Sequence, residues 1–270
     1  MKINNVIVFI VFLFSFDSSF SKEYIEVIKK NVLHKFVPFD ELTDDFVINR
    51  FAWWENETFD VFETVKDPNG IAIDIGAWIG TTAIWLSKNF HHVIAIDADP
   101  ISLICMRQNL VASDCLNVSI CEYPIAHLNK KVIFGTRWSR LNESVSYIKE
   151  DLEENNITLN GDDFIIPSLT FKQLLENYVY ANPNLKAHKI SFIKCDIEGG
   201  EEDILEDILY YAYYNNIKVY MSFHLTWWKS KKIENFETLF KLFRTNCPSN
   251  NICEYIRDNP FTSLLLKAIE

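Results

Sequence analysis

In Ile71-Ala72-Ile73-Asp74-Ile75-Gly76-Ala77-Trp78-Ile79-Gly80, a short strand-like run from Ile71 to Ile75 ends at a glycine. Its β-branched content suits a buried strand. Pro68-Asn69-Gly70 marks a turn before it, and Thr81 to Asn89 follows with the helical spacing of Ala83, Ile84 and Leu86. Val93-Ile94-Ala95-Ile96-Asp97 reads as a second buried strand. Pro100 opens a helix running to about Ala112, and Val118 to Cys121 is a third strand. Strand–helix–strand–helix–strand with apolar strands predicts an α/β fold, a parallel sheet covered on both faces.

The pattern continues outward. Residues 136–163 are polar and rich in Asn and Glu, an inserted excursion. Ser168 precedes a helix through Tyr178. Ile190 to Cys195 is a fourth strand, Glu201 to Tyr214 a helix, and Lys218 to Phe223 a fifth strand. Ile252 to Ile256 and Ser263 to Ile269 are expected to form a terminal antiparallel pair. Residues 23–66 read as helical and irregular, ending in Trp53-Trp54-Glu55-Asn56-Glu57-Thr58-Phe59.

The glycine turn lies where an open parallel sheet binds a nucleotide, at the carboxyl ends of its strands. Gly76 permits a sharp turn, and Gly80 is expected to let the helix approach the sheet. Asp97 ends the next strand, where an acid can hold ribose hydroxyls. A dinucleotide needs bare backbone against its pyrophosphate, and Trp78 occupies the position that glycine would take. S-adenosylmethionine (SAM) has no phosphate and suits the looser D-x-G-x-x-x-G turn, with Asp74 near its amino group. A turn with incidental glycines is the bland alternative. Lys194-Cys195-Asp196-Ile197-Glu198-Gly199-Gly200-Glu201 supplies a second cluster, at the end of the fourth strand. Charges there face a cleft, because burying them unpaired is expensive. Glu201 and Glu202 also suit a helix dipole, which explains Asp196 less well.

Composition sets the outer bounds. The chain has 270 residues, 49% of them hydrophobic, and a net charge of −11. That excludes a disordered chain and argues against nucleic acid as a partner, since phosphate contacts need a basic face. One domain is the default at this length. Val6 to Phe14 is an apolar run behind Lys2, too short to span a bilayer as a helix, and reads as the core of a signal peptide cleaved after Ser21. An uncleaved leader would be the only membrane attachment. None of the six cysteines forms a Cys-x-x-Cys pair; Cys247 and Cys253 are candidates for a disulfide in an exported chain, and Cys195 reads as a buried thiol. Sequons begin at Asn56, Asn117, Asn142 and Asn156.

These segments together resemble the FkbM family of class I SAM-dependent methyltransferases. The resemblance rests on residues 73–82, on Ala95-Ile96-Asp97-Ala98-Asp99-Pro100, on Ser168-Leu169-Thr170-Phe171, and above all on the Lys-x-Asp-x-Glu-Gly-x-Glu block beginning at Lys194. His224 after the fifth strand adds to it. Departures are Trp78 where the family often has Asn, Asp97-Ala98 for Glu-Pro, and Ser222 for an acid. The resemblance implies a Rossmann-like class I methyltransferase fold: a mostly parallel seven-stranded sheet, helices on both faces and a C-terminal antiparallel strand pair. It implies a leader (1–21), a helical cap (22–66) and a methyltransferase domain (67–270).

The implied reaction is O-methylation of a small-molecule or glycan acceptor. His224, Asp196 and Glu198 are the candidates for the base that removes the hydroxyl proton. Glu55, Asp74, Gly76, Ala77, Gly80, Asp97, Ala98, Ala126 and Asp196 are the expected cofactor contacts. Two carboxylates make a thin metal site, so none is expected. Trp227-Trp228 is either an aromatic sugar platform or a packed cap. A non-catalytic binding module on the same fold is the alternative, and a nicotinamide-dependent oxidoreductase is disfavoured by Trp78. SAM is made in the cytosol while the leader points out of it; a secretory lumen supplied with SAM, or a leader that only tethers, reconciles the two.

Overall fold

The computed structural model describes residues 24–136, 146–151, 159, 161–230 and 232–269. The leader and the sequons at Asn142 and Asn156 lie outside the described residues, as does part of the polar excursion.

The chain opens with a hairpin, β1 (Ile25–Lys29) and β2 (Val32–Phe36), followed by α1 (Glu41–Asn49) and α2 (Asn56–Glu63). Then come β3 (Asp67–Ile75), α3 (Thr81–Ser87), β4 (Phe90–Ile96), α4 (Pro100–Ala112) and β5 (Val118–Cys121). A side sheet is built from β6 (Lys131–Thr136), β7 (Ser146–Asp151) and β8 (Phe164–Pro167). α5 (Phe171–Leu174) runs on as a π-helix over Leu175–Tyr180, before β9 (Ile190–Cys195), α6 (Glu201–Asn215) and β10 (Lys218–His224). The chain closes with α7 (Glu237–Phe240), β11 (Phe243–Thr245), α8 (Ile252–Asp258) and β12 (Phe261–Ala268). Among the described residues no helix is long and apolar enough to cross a membrane.

Seven strands form the main sheet in the order β11-β12-β10-β9-β3-β4-β5. The pairs among β10, β9, β3, β4 and β5 are parallel, and β12 runs antiparallel to both β10 and β11. This is the Rossmann-like α/β sheet with an antiparallel end that the sequence led us to expect. Successive residues feed opposite cores, as a pleated strand requires. Ile71, Ile73 and Ile75 join one cluster with Ile193, Met221 and Leu266. Ala72, Ala95, Phe192, Tyr220 and Leu265 join the other, with Phe59, Phe62 and Trp85. Phe62 of α2 meets Phe192 edge-on at 5.4 Å, so the N-terminal segment is part of the core rather than an appendage.

Three local expectations are corrected. Residues 25–36 form a hairpin, not helix, because Val27, Lys29, His34 and Phe36 alternate inward onto the molecule. Ile252 to Ile256 is helical: Asn251 caps it by accepting from the Glu254 amide, and the strand beside β12 is β11 instead. Cys247 and Cys253 are free thiols, with Cys253 directed to the Ile233 carbonyl. Cys195 is a buried thiol, as expected. The side-chain amides of two sequon residues serve the fold: Asn56 accepts from Lys29, and Asn117 donates to the Ser87, Phe90 and His91 carbonyls.

Lys194 and Asp74 are paired at 3.1 Å with almost no exposure, and Thr82 donates to the same carboxylate at 2.7 Å. Lys194→Met leaves the acid without its cation. It is expected to destabilise the fold by ~3–5 kcal/mol in urea unfolding, with at least half recovered by adding Asp74→Asn.

Candidate functional site

Chain order reverses between β3 and β9: β3 leads to β4 and β5 on one side, β9 to β10 on the other. The crevice beyond the carboxyl ends at such a reversal is where open sheets take ligands. Here Gly76 and Asp196 bound it. The Gly76 and Ala77 amides both donate to the Ile96 carbonyl at 2.9 Å, and the Asp196 amide donates to the Ile75 carbonyl at 3.0 Å. Gly76 has φ +82°, and a Cβ there would stand 1.8 Å from the Asp196 carbonyl oxygen. No other residue fits this turn. Gly80 (φ +89°) caps α3, and its missing side chain makes room for Met106 of α4; the close approach is helix to helix rather than helix to sheet.

The crevice has two chambers that share Gly76, Trp78, Asp196 and Glu198. The first is an apolar slot. Ile96, Ala98 and Ile125 line it from the sheet end, and Phe134 and Ile148 close it from β6 and β7 of the side sheet. Asp97 sits at its edge. That carboxylate accepts from the Trp78 amide at 2.8 Å and the Asp99 amide at 2.9 Å, which leaves lone pairs for a ligand. Burial pushes its pKa up to about 6, with the charge of Asp99 adding to the effect and the backbone donors opposing it. An apolar slot with the Asp97 carboxylate at its rim suits a nucleoside: ring faces inside, ribose hydroxyls donating to the acid.

The second chamber is polar and ionised. Glu55, Lys194, Asp196, Glu198, Ser222 and His224 line it. His224 Nε2 faces Asp196 Oδ1 at 3.6 Å and Glu198 Oε2 at 3.4 Å, while Nδ1 donates to Glu201 Oε1 at 2.8 Å. Glu201 is fully buried and accepts also from the Ile197 and Gly199 amides and from Trp228 Nε1. Burial alone would lower the His224 pKa; the hydrogen bond and charge of Glu201, with Asp196 and Glu198, outweigh it and raise it to about 9. The ring is therefore an imidazolium at neutral pH, a donor rather than a base. Lys194 behaves similarly: burial presses its pKa down, but Asp74, Asp196 and Glu55 raise it overall.

Asp196, Glu201 and His224 each bring one ligand-type atom within 4.8 Å of the others. Glu201 Oε1 and His224 Nδ1 are hydrogen-bonded to each other, and Nε2 faces Asp196 and Glu198. Trp227 stacks on His224 with centroids 5.2 Å apart, and Trp228 is buried in the core beneath. The pair thus divides its roles: Trp228 is a packed cap and Trp227 a backing for the imidazole.

Of the residues expected at the cofactor, Glu55, Gly76, Asp97, Ala98 and Asp196 line the crevice. Asp74 is buried behind it on Lys194 and Thr82, and Ala77 is packed in the core. Gly80 faces α4. Ala126 is buried with its amide on the Leu169 carbonyl, and its neighbours Pro124 and Ile125 line the slot in its place. Phe134, Ile148 and β12 residues Phe261 to Ser263 complete the walls without any sequence signal. Glu201 lay within the acidic block, but reading it as a dipole acid hid its position beneath His224. Trp78 (φ +48°), Glu55 (φ +46°) and Glu198 (φ +58°) all hold left-handed backbone around this crevice, conformations that non-glycine residues keep only when their surroundings impose them.

Comparison with protein-family profiles and with curated proteins gave no match. Among solved structures, an rRNA methylase from Streptococcus thermophilus is similar at 13% identity and TM-score 0.44, over 80% of this chain and 96% of that one. A Streptococcus mutans protein described as a methyltransferase, in complex with SAH, matches at 14% and 0.44, over 79% and 96%. Methyltransferase FkbM from Methylobacillus flagellatus matches at 12% and 0.44, over 85% of this chain but 55% of its own, so this chain spans about half of that protein. Likeness at this level carries no weight for the reaction, and the fold class rests on the strand order itself.

The charge on His224 has a measurable consequence. Because its pKa is raised, its contribution to stability is full below about 6.5 and is lost as pH rises through about 9. The stability difference between the wild type and His224→Gln, from urea unfolding, is expected to shrink over that window. A difference independent of pH would show the ring to be neutral.

Proposed function

We propose that this protein transfers a methyl group from SAM to an oxygen acceptor, a hydroxyl of a sugar, glycan or small metabolite. One observation carries the reading: an apolar slot with the Asp97 carboxylate at its rim opens, across a glycine turn, into a chamber holding Asp196 and Glu198. A nucleoside with a cationic arm matches that sequence of environments. When bound, SAM supplies the activated methyl on its sulfonium. The slot from Ile96 to Ile148 would hold the adenine, and Asp97 the ribose hydroxyls by charge-assisted hydrogen bonds. Asp196 and Glu198 supply the negative field that suits a sulfonium. A pyrophosphate would meet that field unfavourably, and Trp78 stands where it would need bare backbone.

The residues of this chain contribute alignment above all. Holding an acceptor against an activated methyl replaces a bimolecular encounter, and such positioning accounts for several kcal/mol of many barriers, about 7–11 at its best. His224, fixed by Glu201, orients Asp196 and Glu198 and presents Nε2–H to the chamber. The net charge of −11 favours a small or glycan acceptor over nucleic acid. We infer further that the leader at residues 1–21 sends the chain into a secretory pathway or tethers it to a membrane. Fractionation with sequencing of the mature N-terminus tests that.

Calorimetry tests the cofactor. SAM and SAH are expected to bind and NAD not to, with Asp97→Ala weakening SAH about tenfold or more, roughly 1.4 kcal/mol. Methyl-labelled SAM with sugars, small hydroxylated metabolites and RNA then sorts the acceptor. Binding of NAD alone contradicts the reading; SAM binding with no transfer to any acceptor favours a binding module.

A further inference from the structure

We propose that Glu55 is the general base of this site and that Lys29 is the residue that positions it. The inference rests on the methyltransferase reading above.

Sequence placed Glu55 among cofactor contacts and left Lys29 without a role. The structure joins them. Lys29 lies at the end of β1 and is buried, with 2% of its surface exposed. Its Nζ donates to the Phe51 carbonyl at 3.2 Å, the Ala52 carbonyl at 3.3 Å, the Trp54 carbonyl and Asn56 Oδ1 at 2.8 Å. The Phe59 ring covers the ammonium at 4.9 Å from its centroid. Four acceptors spread over residues 51–56 thus point at one cation, and the loop is curled around it. Glu55 of that loop lines the polar chamber beside Trp54, with its backbone in the left-handed region. A glutamate does not adopt that conformation without restraint, and Lys29 supplies the restraint on both sides, through Trp54 and Asn56.

The other acids of the chamber already face basic side chains: Asp196 faces His224 and Lys194, and Glu198 faces His224. Glu55 approaches from a separate element. The charges facing it are Asp196 and Lys194 from the β9 end and His224 from β10, and the Thr58 hydroxyl of α2, which pairs with Tyr220, lies beside it. Lys29 and Glu198 complete the surroundings. Burial, then the charge of Asp196, raises its pKa to about 7, with Lys194, Thr58 and His224 opposing the rise. A general base is most effective when its pKa lies near the working pH.

The step balances with residues on hand. The acceptor oxygen forms its bond to the methyl carbon, the carbon–sulfur bond breaks with its electron pair on sulfur, and the hydroxyl proton passes to Glu55. The products are the methyl ether, the uncharged thioether SAH and protonated Glu55, which returns its proton to water.

The test uses the full chain labelled with ¹³C at glutamate carboxyls, the Glu55 signal being assigned by its loss in Glu55→Gln. The expected midpoint is about 7 in the wild type; in Lys29→Met the released loop opens the carboxyl to water, and this outweighs the loss of the ammonium that favours the ionised form, so the midpoint falls toward the ordinary value of 4.5. Glu55→Gln should keep SAH affinity within about threefold while transfer from SAM to a hydroxyl acceptor falls at least ~100-fold, and Glu55→Asp should restore part of it. Should Lys29→Met fail to fold, the Glu55 variants decide alone. A wild-type midpoint near 4.5, a midpoint unmoved in folded Lys29→Met, loss of SAH binding in Glu55→Gln, unchanged transfer, or transfer abolished by a chelator and restored by a divalent metal each overturns the proposal. Failure of the wild type to bind SAM or SAH overturns the methyltransferase reading instead, and the titration still reports on Glu55.

Discussion

A buried ammonium holds the two halves of the sheet together at the point where their order reverses. Lys194 Nζ donates to the Gly76 carbonyl at 2.9 Å, pairs with Asp74 at 3.1 Å and lies 3.9 Å from Asp196. A lysine taken out of water alone would shed its proton, and these groups keep it charged. The result is a fixed distance between the ends of β3 and β9, so close that only glycine fits at 76. The crevice takes its floor from that contact. The Gly76 turn, the Trp78 amide on Asp97 and the Asp196 backbone all border it.

A second layer of charge sits on the first. Glu201 is saturated by two amides, an indole and an imidazole, and through the imidazole it reaches the chamber. It does more than complement the α6 dipole: a carboxylate at the first helical turn is turned inward to fix a histidine from the neighbouring strand. The third layer is the N-terminal hairpin, whose Lys29 shapes the loop that carries Glu55. Each layer uses a buried ion compensated by backbone groups, and each brings one more charged side chain to the same opening.

The parallel sheet was legible because strands buried on both faces are apolar throughout, and the turns between them carry glycine, proline or charge. The glycine turn, Asp97 and the Lys194–Glu201 block were legible for the same reason: polar groups placed at the ends of buried strands have few places to go. What failed depended on contacts distant in sequence. Lys29 meets residues 22 to 27 positions away, and nothing in its own neighbourhood marks it as buried. The hairpin strands are five residues each, too short for their alternation to stand out against a helical pattern. Asp74 looked like a ligand contact because it precedes the glycine, but strand alternation turns it away from the opening and toward Lys194. The walls supplied by Phe134 and Ile148 come from a side sheet whose strands are separated by polar sequence, and β12 reaches the site only by returning antiparallel beside β10.

The central claim is that the end of this sheet is a nucleoside-binding crevice. Isoleucine-methyl nuclear magnetic resonance with SAH tests it without any knowledge of the acceptor. SAH is expected to shift the methyl signals of Ile96, Ile125 and Ile148 and to give Overhauser contacts from its adenine protons to Ile125 and Ile148, while Ile252 and Ile269 stay in place. Shifts confined to residues away from this crevice, or none at saturating SAH, would contradict it.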